Sequence, residues 1–401
     1  MSLKGILPGR LGFGTAPLGN MFRAIPDEAH ATVQAAWDQG IRYYDTAPFY
    51  GAGLAEERLG RLLSTQPRDS YVLSSKVGRV ILDEPESDVP DFGEKGGLFA
   101  HGNPNRILHE WTADATERSI EGSLERLGVD RLDIVWVHDI AQDFHGDGWI
   151  QKFEEARTGA FRVLSRLRDE GVIKAWGLGV NKTEPIELTL ALDEPRPDGF
   201  LLAGRYTLLD HEHALQRLLP MAQEQNVDMV VGGPYSSGIL AGGAHFEYQQ
   251  APPEIVQKVS RLKDLTRKHG ISIKAAALQF SLAHPVTSAV IPGATRPGRI
   301  AEDLAALDET VPAAFWTDLR AAGLVRPPRS PTAPDPAGLP PRELHPSTRP
   351  GETPWPPPPS AAPCPPRPTR SGTSSAASTP CPTGFPTSPA APRSRAAGSA
   401  D

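Results

Sequence analysis

Ionisable side chains sit at the ends of apolar runs in this sequence, where they could do proton chemistry together. Asp45 ends IRYYD, Lys76 ends YVLSSK, and His138 ends LDIVWVH with Asp139 directly after it. Tyr50 follows Asp45 by five positions in DTAPFYG. An ammonium at Lys76 beside the Tyr50 hydroxyl would favour the phenolate, and Asp45 would keep the lysine charged. Tyr50 would then give or take a proton near neutral pH, while a neutral His138 held the substrate oxygen in place. Taken singly, each residue has a plainer reading: Asp45 caps a turn, Lys76 snorkels to solvent, and His138 is a satisfied core histidine. Taken as four, they fit that reading poorly. Other chemistries lack their signatures. The stretch GFGTAPLG from Gly12 is not GxGxxG, and there is no P-loop, HExxH, EF-hand or GxSxG. His211, His213 and His245 have no ligand spacing, so no metal is expected.

The four residues can meet only if the elements that carry them share an end. Eight short β-branched or aromatic runs read as strands: 11–15, 41–45, 71–76, 132–138, 175–181, 200–203, 229–232 and 288–292. Longer amphipathic stretches separate them. In TADATERSIEGSLERLG, Ile120, Leu124 and Leu127 share one helical face before Gly128. The segment Pro26–Gly40 starts with proline and acids and ends in glycine, and PEIVQKVSRLKDLTRKHG ends in a basic turn before Gly270. Alternating strands and helices of this number suggest an α/β fold, a (β/α)₈ TIM barrel, in which all strand C-termini open on one mouth. An open sheet of about six strands fits the pattern nearly as well.

Composition divides the chain at residue 326. Of the 42 prolines, 23 fall in 326–401, a stretch with two leucines, one tryptophan, one phenylalanine and no lysine. That is too little apolar area to offset ordering the segment, so 1–325 is expected to be the barrel domain and 326–401 a disordered low-complexity tail. PPPP, PCPPRP and the arginine-without-lysine usage are what a GC-rich gene yields in a wrong reading frame; a native proline-rich interaction tail is the other reading. Both cysteines, Cys364 and Cys381, lie in the tail, which excludes disulfide stapling and a cysteine nucleophile in the body. The tail has eight arginines against four acids, so the formal net charge of −7 leaves −11 on the body. Such a body offers no broad attraction to nucleic acid or an anionic membrane. The first residues contain no apolar signal segment, and no 18-residue apolar run occurs. A cytoplasmic monomer or weak homodimer is expected.

These motifs resemble the aldo-keto reductase family, in order from residue 11 to about 325. DTAPFYG is similar to the family's signature around its catalytic aspartate and tyrosine, and SSK at Lys76 and VWVHD at His138 match the strand ends carrying its lysine and histidine. The resemblance implies a (β/α)₈ barrel that binds NAD or NADP extended across its mouth without a Rossmann domain. It makes Asp45, Tyr50, Lys76 and His138 catalytic. Cofactor positions follow by the same resemblance: Gly14, Thr15 and Asp45 at the first strand ends, and Asn181 of LGVN at the nicotinamide carboxamide. Pro234, Ser236, Gly238 and Leu240 of PYSSGILAGG would lie over the pyrophosphate, and Gly293, Arg299 and Asp303 of IPGATRPGRIAEDLAAL at the adenosine.

Departures from the family's pattern narrow the expectation. Val180 precedes Asn181 where a serine is usual, Ala203 stands for a glutamine, and Gly232 stands for the aromatic that stacks on nicotinamide. Gly293 and Ala294 replace a Lys-Ser pair that would neutralise a 2′-phosphate, which favours NAD with NADP usable. The long segment Gly78–Trp111 is expected to cover the mouth as a loop, with Phe92, Phe99 and Trp111 as apolar walls and Asp83, Asp91 or His101 as hydroxyl binders. LGFGTAPLGN, VGRVI and LGVN resemble a bacterial subgroup that oxidises the C1 hemiacetal of D-threo aldoses such as L-fucose to the lactone. Pyridoxal oxidation and general aldehyde or ketone reduction are the alternatives, with a non-catalytic nucleotide-sensing subunit as the reading from a different class.

Overall fold

In a computed structural model, which describes residues 2–25, 28–85 and 97–326, each of the eight expected runs overlaps a barrel strand. They are β1 (Phe13–Gly14), β2 (Tyr43–Asp45), β3 (Val72–Val77), β4 (Ile134–His138), β5 (Ala175–Val180), β6 (Gly199–Ala203), β7 (Asp228–Gly232) and β8 (Thr287–Ile291). Each pairs in parallel with the next in chain order, β3 with β4 across the long intervening segment. Parallel bridges Leu11↔Val290 and Gly14↔Gly293 join β8 back to β1, and Gly12 N donates to Val290 O at 2.9 Å. That closure decides for the barrel over the open sheet.

Strand alternation divides the apolar residues between two cores. Tyr43, Val72, Ile134, Trp136, Ala175, Leu201, Val230, Ala289 and Ile291 fill the barrel interior. Their neighbours, such as Tyr44, Leu73, Val135, Trp176, Phe200 and Val231, belong to the outer core with the helices. This is the period of two expected of strands buried on both faces. Leu3, from the turn Leu3–Ile6, packs into the interior cluster, and Lys4 N donates to Asp228 Oδ2 at 3.2 Å where β7 begins.

Helices form where the periodicity placed them. Thr112 caps Ala113–Leu127 by accepting from Ala115 N at 3.3 Å, and Gly128 ends it at φ 63°, a left-handed position that suits a residue without Cβ. Glu28–Asp38 and Pro253–Lys268 occupy the other two expected helices; Pro26 lies outside the described residues. The segment after β3 differs from the expected loop, because Arg79–Pro85 pairs antiparallel with Asn105–His109. Asp91 and Phe92 lie outside the described residues, as does 327–401, where the low-complexity tail was expected. Among the described residues no helix is long and apolar enough to cross a membrane.

Candidate active site

The register of β2 on β3 sets Asp45 against Ser74, two residues before Lys76. Asp45 accepts from Ser74 Oγ at 2.7 Å and from Lys76 Nζ at 2.6 Å, and Lys76 Nζ also donates to Thr46 O at 2.8 Å. Both charges are buried, so the desolvation each suffers is offset only because every partner is present. Tyr50 reaches the pair on a loop fixed by close backbone approach. A Cβ on Gly19 would lie 2.6 Å from Tyr50 O, one on Gly51 2.5 Å from Gly19 O, and one on Gly102 2.5 Å from Gly51 Cα. Gly51 is also left-handed, at φ 70°. The Tyr50 ring so placed stands 4.7 Å from Lys76 Nζ and 5.9 Å, edge to face, from the His138 ring.

The phenolate expected of Tyr50 is not favoured in this arrangement. Burial, then the carboxylates of Asp45 and Asp139, hold the Tyr50 hydroxyl well above its ordinary value, against the weaker opposite pull of Arg79. The Lys76 ammonium, ion-paired to Asp45, does not overcome that burial. In the resting protein Tyr50 is therefore a neutral phenol, a proton donor first.

His138 carries a second buried ion pair beside it. Its Nε2 stands 3.3 Å from Asp139 Oδ2, the oxygen to which Arg79 Nη2 donates at 3.0 Å. Trp111 Nε1 donates to His138 O at 3.1 Å, and His145 Nε2 meets Asp139 O at 2.9 Å. Burial, then the Arg79 charge, pushes His109 down to about 3 and His145 down to about 4. Both are depressed below the unfolded value near 6.5, so the stability they contribute is present above about pH 6.5 and lost as pH falls toward 4. The melting temperature should drop across that interval, and His109→Gln with His145→Gln should flatten the drop; equal slopes in a calorimetric pH series would contradict this assignment.

A cavity of about 700 Å³ opens at the strand C-termini. Of the positions expected to bind cofactor, Gly14, Thr15, Asp45, Asn181, Pro234, Ser236, Gly238, Gly293 and Arg299 line it, and Tyr50 reaches it from the catalytic group. Leu240 and Asp303 do not. Leu240 is buried in the outer core, and Asp303 is held by Tyr235 Oη at 2.7 Å and Lys274 Nζ at 2.5 Å. A smaller cavity of about 50 Å³ brings Tyr50, Lys76 and His138 together with Asp139, Phe49, Phe99 and Phe144. Trp111 is buried beneath His138 rather than forming a wall, and Asp83 and His101 are exposed and line neither cavity.

Three residues not foreseen from sequence join the site: Tyr248 and Arg205 line the large cavity, and Arg79, buried, lines neither cavity but pairs with Asp139. Tyr248 lines both cavities and donates to Asn181 Oδ1 at 3.3 Å; Arg205 donates to Asn181 O at 2.7 Å and pairs with Asp210 and Glu247. Arg79 is the third. Its signal was in the sequence, since it follows an apolar strand as Lys76 ends one. Ala203 and Gly232, the two small departures, are register partners, and a Cβ on Gly232 would sit 3.2 Å from Ala203 Cβ. A side chain at 232 would need Ala203 to give by a few tenths of an ångström, and Tyr248 is among the aromatic side chains lining the large cavity.

The large cavity fits an extended dinucleotide by its chemistry. Thr15 Oγ1 and Arg299 Nε are buried without a partner among the described residues, an unmet donor set of the kind a polar ligand satisfies. Residues 10–323 match the model of the aldo/keto reductase family. The chain belongs to that family. It is thus an enzyme of the NAD(P)-dependent oxidoreductase class. It is 38% identical over 330 residues to a pyridoxal 4-dehydrogenase from Microbacterium luteolum, covering 79% of this chain and 94% of the relative. It is 37% identical over 325 residues to a D-threo-aldose 1-dehydrogenase from a Pseudomonas species, with the same coverage of each. The fold resembles an aldo-keto reductase from Bacillus halodurans in its holo form, with TM-score 0.60 and 23% identity over 79% of this chain and 92% of that one.

Proposed function

We propose that this aldo/keto reductase oxidises the ring hemiacetal of a D-threo aldose such as L-fucose to its lactone, with NAD preferred over NADP. The observation that carries the reading is the small cavity, where the rings of Phe49, Phe99 and Phe144 stand with the Asp139 carboxylate around Tyr50 and His138. A sugar presents an apolar ring face and hydroxyl donors, which call for aromatic surface and a charged acceptor. Asn181, Thr15 and Arg299 are the side chains that would hold the dinucleotide. A bound oxidised nicotinamide would supply the hydride acceptor for the substrate carbon. Tyr50 in its phenolate form, scarce at neutral pH and reached by release of its own proton to solvent, takes the hemiacetal proton at its Oη, and the Lys76–Asp45 pair behind it keeps the ring in place. His138 orients the substrate oxygen. Preference for NAD rests on Gly293 and Ala294, which offer no cation or hydroxyl to a 2′-phosphate, and on Lys274, whose charge is paired with Asp303.

Pyridoxal oxidation is the second reading, favoured by the relative of that name at 38% identity. Pyridoxal closes its aldehyde onto the neighbouring hydroxymethyl group, so its hemiacetal presents the same C–H and O–H to the site. A panel of L-fucose, D-arabinose, L-galactose, D-glucose and pyridoxal, each with NAD and with NADP, separates the two by the absorbance of reduced nicotinamide. The highest kcat/KM is expected for a D-threo aldose with NAD. Faster turnover of pyridoxal than of every sugar would replace the substrate, and higher efficiency with NADP would remove the cofactor preference.

A further inference from the structure

Asn20 follows the turn Ala16–Gly19 in a left-handed conformation, φ 63°, its own N–H donating to Pro17 O at 3.2 Å. Asparagine is one of the few residues with a side chain that adopts this conformation routinely. The residue is buried, so its amide must find partners inside the protein. Oδ1 accepts from Ile25 N at 3.0 Å and from Arg58 Nη1 at 2.7 Å, which takes both lone pairs, and Nδ2 donates to His101 O at 2.6 Å. Turned over, the amide would set its nitrogen against two donors and its oxygen against a carbonyl, so this orientation is the satisfied one.

Each of these bonds reaches a different wall of the site. Ile25 closes the loop after β1, whose Met21, Phe22 and Arg23 line the large cavity. His101 lies in the segment 97–103, which brings Phe99 to the small cavity, 5.7 Å from the Tyr50 ring. Arg58 lies on the helix Leu54–Leu63, which begins just after the Tyr50 loop. Burial of a guanidinium is unfavourable unless its donors are satisfied. Here they bind the first loop twice, at Asn20 Oδ1 and at Leu18 O, the latter at 2.5 Å. Asn103 joins the second and third loops, by its N–H to Gly51 O at 2.9 Å and by Nδ2 to Glu57 Oε1 at 2.8 Å. Asn20 and Arg58 set the first loop against both.

We propose that Asn20 and Arg58 are positioning residues for Tyr50 and Phe99. The Asn20 amide sets the loop after β1 against the segment that carries Phe99, and Arg58 sets the same loop against the helix that follows Tyr50. Together they fix the Tyr50 hydroxyl relative to the large cavity. Neither side chain lines a cavity, so both act through the loops they hold. Proton and hydride transfer depend steeply on such geometry, and a misplacement of about 1 Å costs about 10²-fold. This rests on the reading of Tyr50 as the proton carrier, and the test has an arm independent of turnover.

The test compares three variants in the full chain. Asn20→Gly keeps the left-handed backbone and removes only the amide; Asn20→Asp keeps both accepting bonds and loses the donation to His101 O; Arg58→Met keeps the stem and loses both of its bonds. Hydrogen–deuterium exchange without cofactor should quicken in 20–25 and 97–103 for Asn20→Gly, and in 97–103 alone for Asn20→Asp. For Arg58→Met it should quicken in the loop after β1 and around Tyr50, with the barrel strands unchanged in all three. With the fastest substrate of the panel, Arg58→Met should lower kcat by about 10- to 100-fold while dinucleotide affinity stays near the parent value. Asn20→Asp should raise the substrate KM more than it lowers kcat, because only the Phe99 wall is loosened, and Asn20→Gly should do both. Parent-like exchange of 97–103 in both Asn20 variants overturns the proposal, even where Arg58→Met does not fold. So does faster exchange with kcat and KM unmoved, which would mark a tie that positions nothing. Faster exchange throughout the barrel strands would also overturn it, marking a purely structural role. A panel in which no sugar reacts would remove the proposed substrate and leave the exchange pattern as expected here.

Discussion

Phenylalanine at position 50 is expected to lower turnover by about 10²–10⁴-fold while nucleotide affinity stays near the parent value. The ring would still pack 5.7 Å from Phe99 and 5.9 Å from His138, so the loop keeps its place and only the transferable proton is lost. The raised Tyr50 hydroxyl adds a sign to the pH dependence. A base that is scarce at neutral pH becomes more abundant as pH rises, so oxidation should accelerate into the alkaline range, while carbonyl reduction, which needs the neutral phenol, should not. Stopped-flow turnover and nucleotide fluorescence titration of Tyr50→Phe check the first statement. Activity within about fivefold of the parent would remove Tyr50 from proton transfer.

Asparagine in place of Asp45 should cost about 3–5 kcal/mol of folding stability, because it leaves the Lys76 ammonium buried beside Thr46 O without its counter-charge. Combining it with Lys76→Met should recover much of that loss, since a buried pair replaced by uncharged groups is often close to neutral in stability. The double variant should nonetheless remain slow, having lost the groups that seat Tyr50. Denaturant unfolding of the single and the double variant measures this. A single variant as stable as the parent would mean that the lysine finds another partner or loses its proton.

Much of this architecture is legible in the sequence because it is local or periodic. Runs such as Leu132–His138 are apolar on both strand faces, and each ends where the chain must leave the sheet, so an ionisable residue there has to face the mouth. That reasoning places Asp45, Lys76 and His138 together, and their contacts agree with it. What stays hidden depends on pairings between distant residues. The ladder Arg79–Pro85 with Asn105–His109 spans a long proline- and glycine-containing segment, with no short turn to announce it. The turn at Glu247 and Tyr248 is left-handed at both residues, φ 49° and 67°, yet has none of the Asn or Gly that mark such turns. Tyr248 therefore could not be foreseen at the mouth. The protonation state of Tyr50 is hidden for a related reason: spacing along the chain does not reveal how deeply its hydroxyl is buried, nor that Asp139 stands near it.

The contact of Gly19, Gly51 and Gly102 joins the loops that follow the first three strands into one unit, backbone against backbone. Substrate range in a barrel enzyme is commonly altered by transplanting single loops, on the assumption that each is an independent module. Here that assumption fails. A donor loop with any larger residue at one of these positions would displace its two neighbours and, with them, the tyrosine they carry. Grafts from related barrels should succeed only when the three loops travel as a set, and libraries that vary this face gain by holding the three glycines fixed.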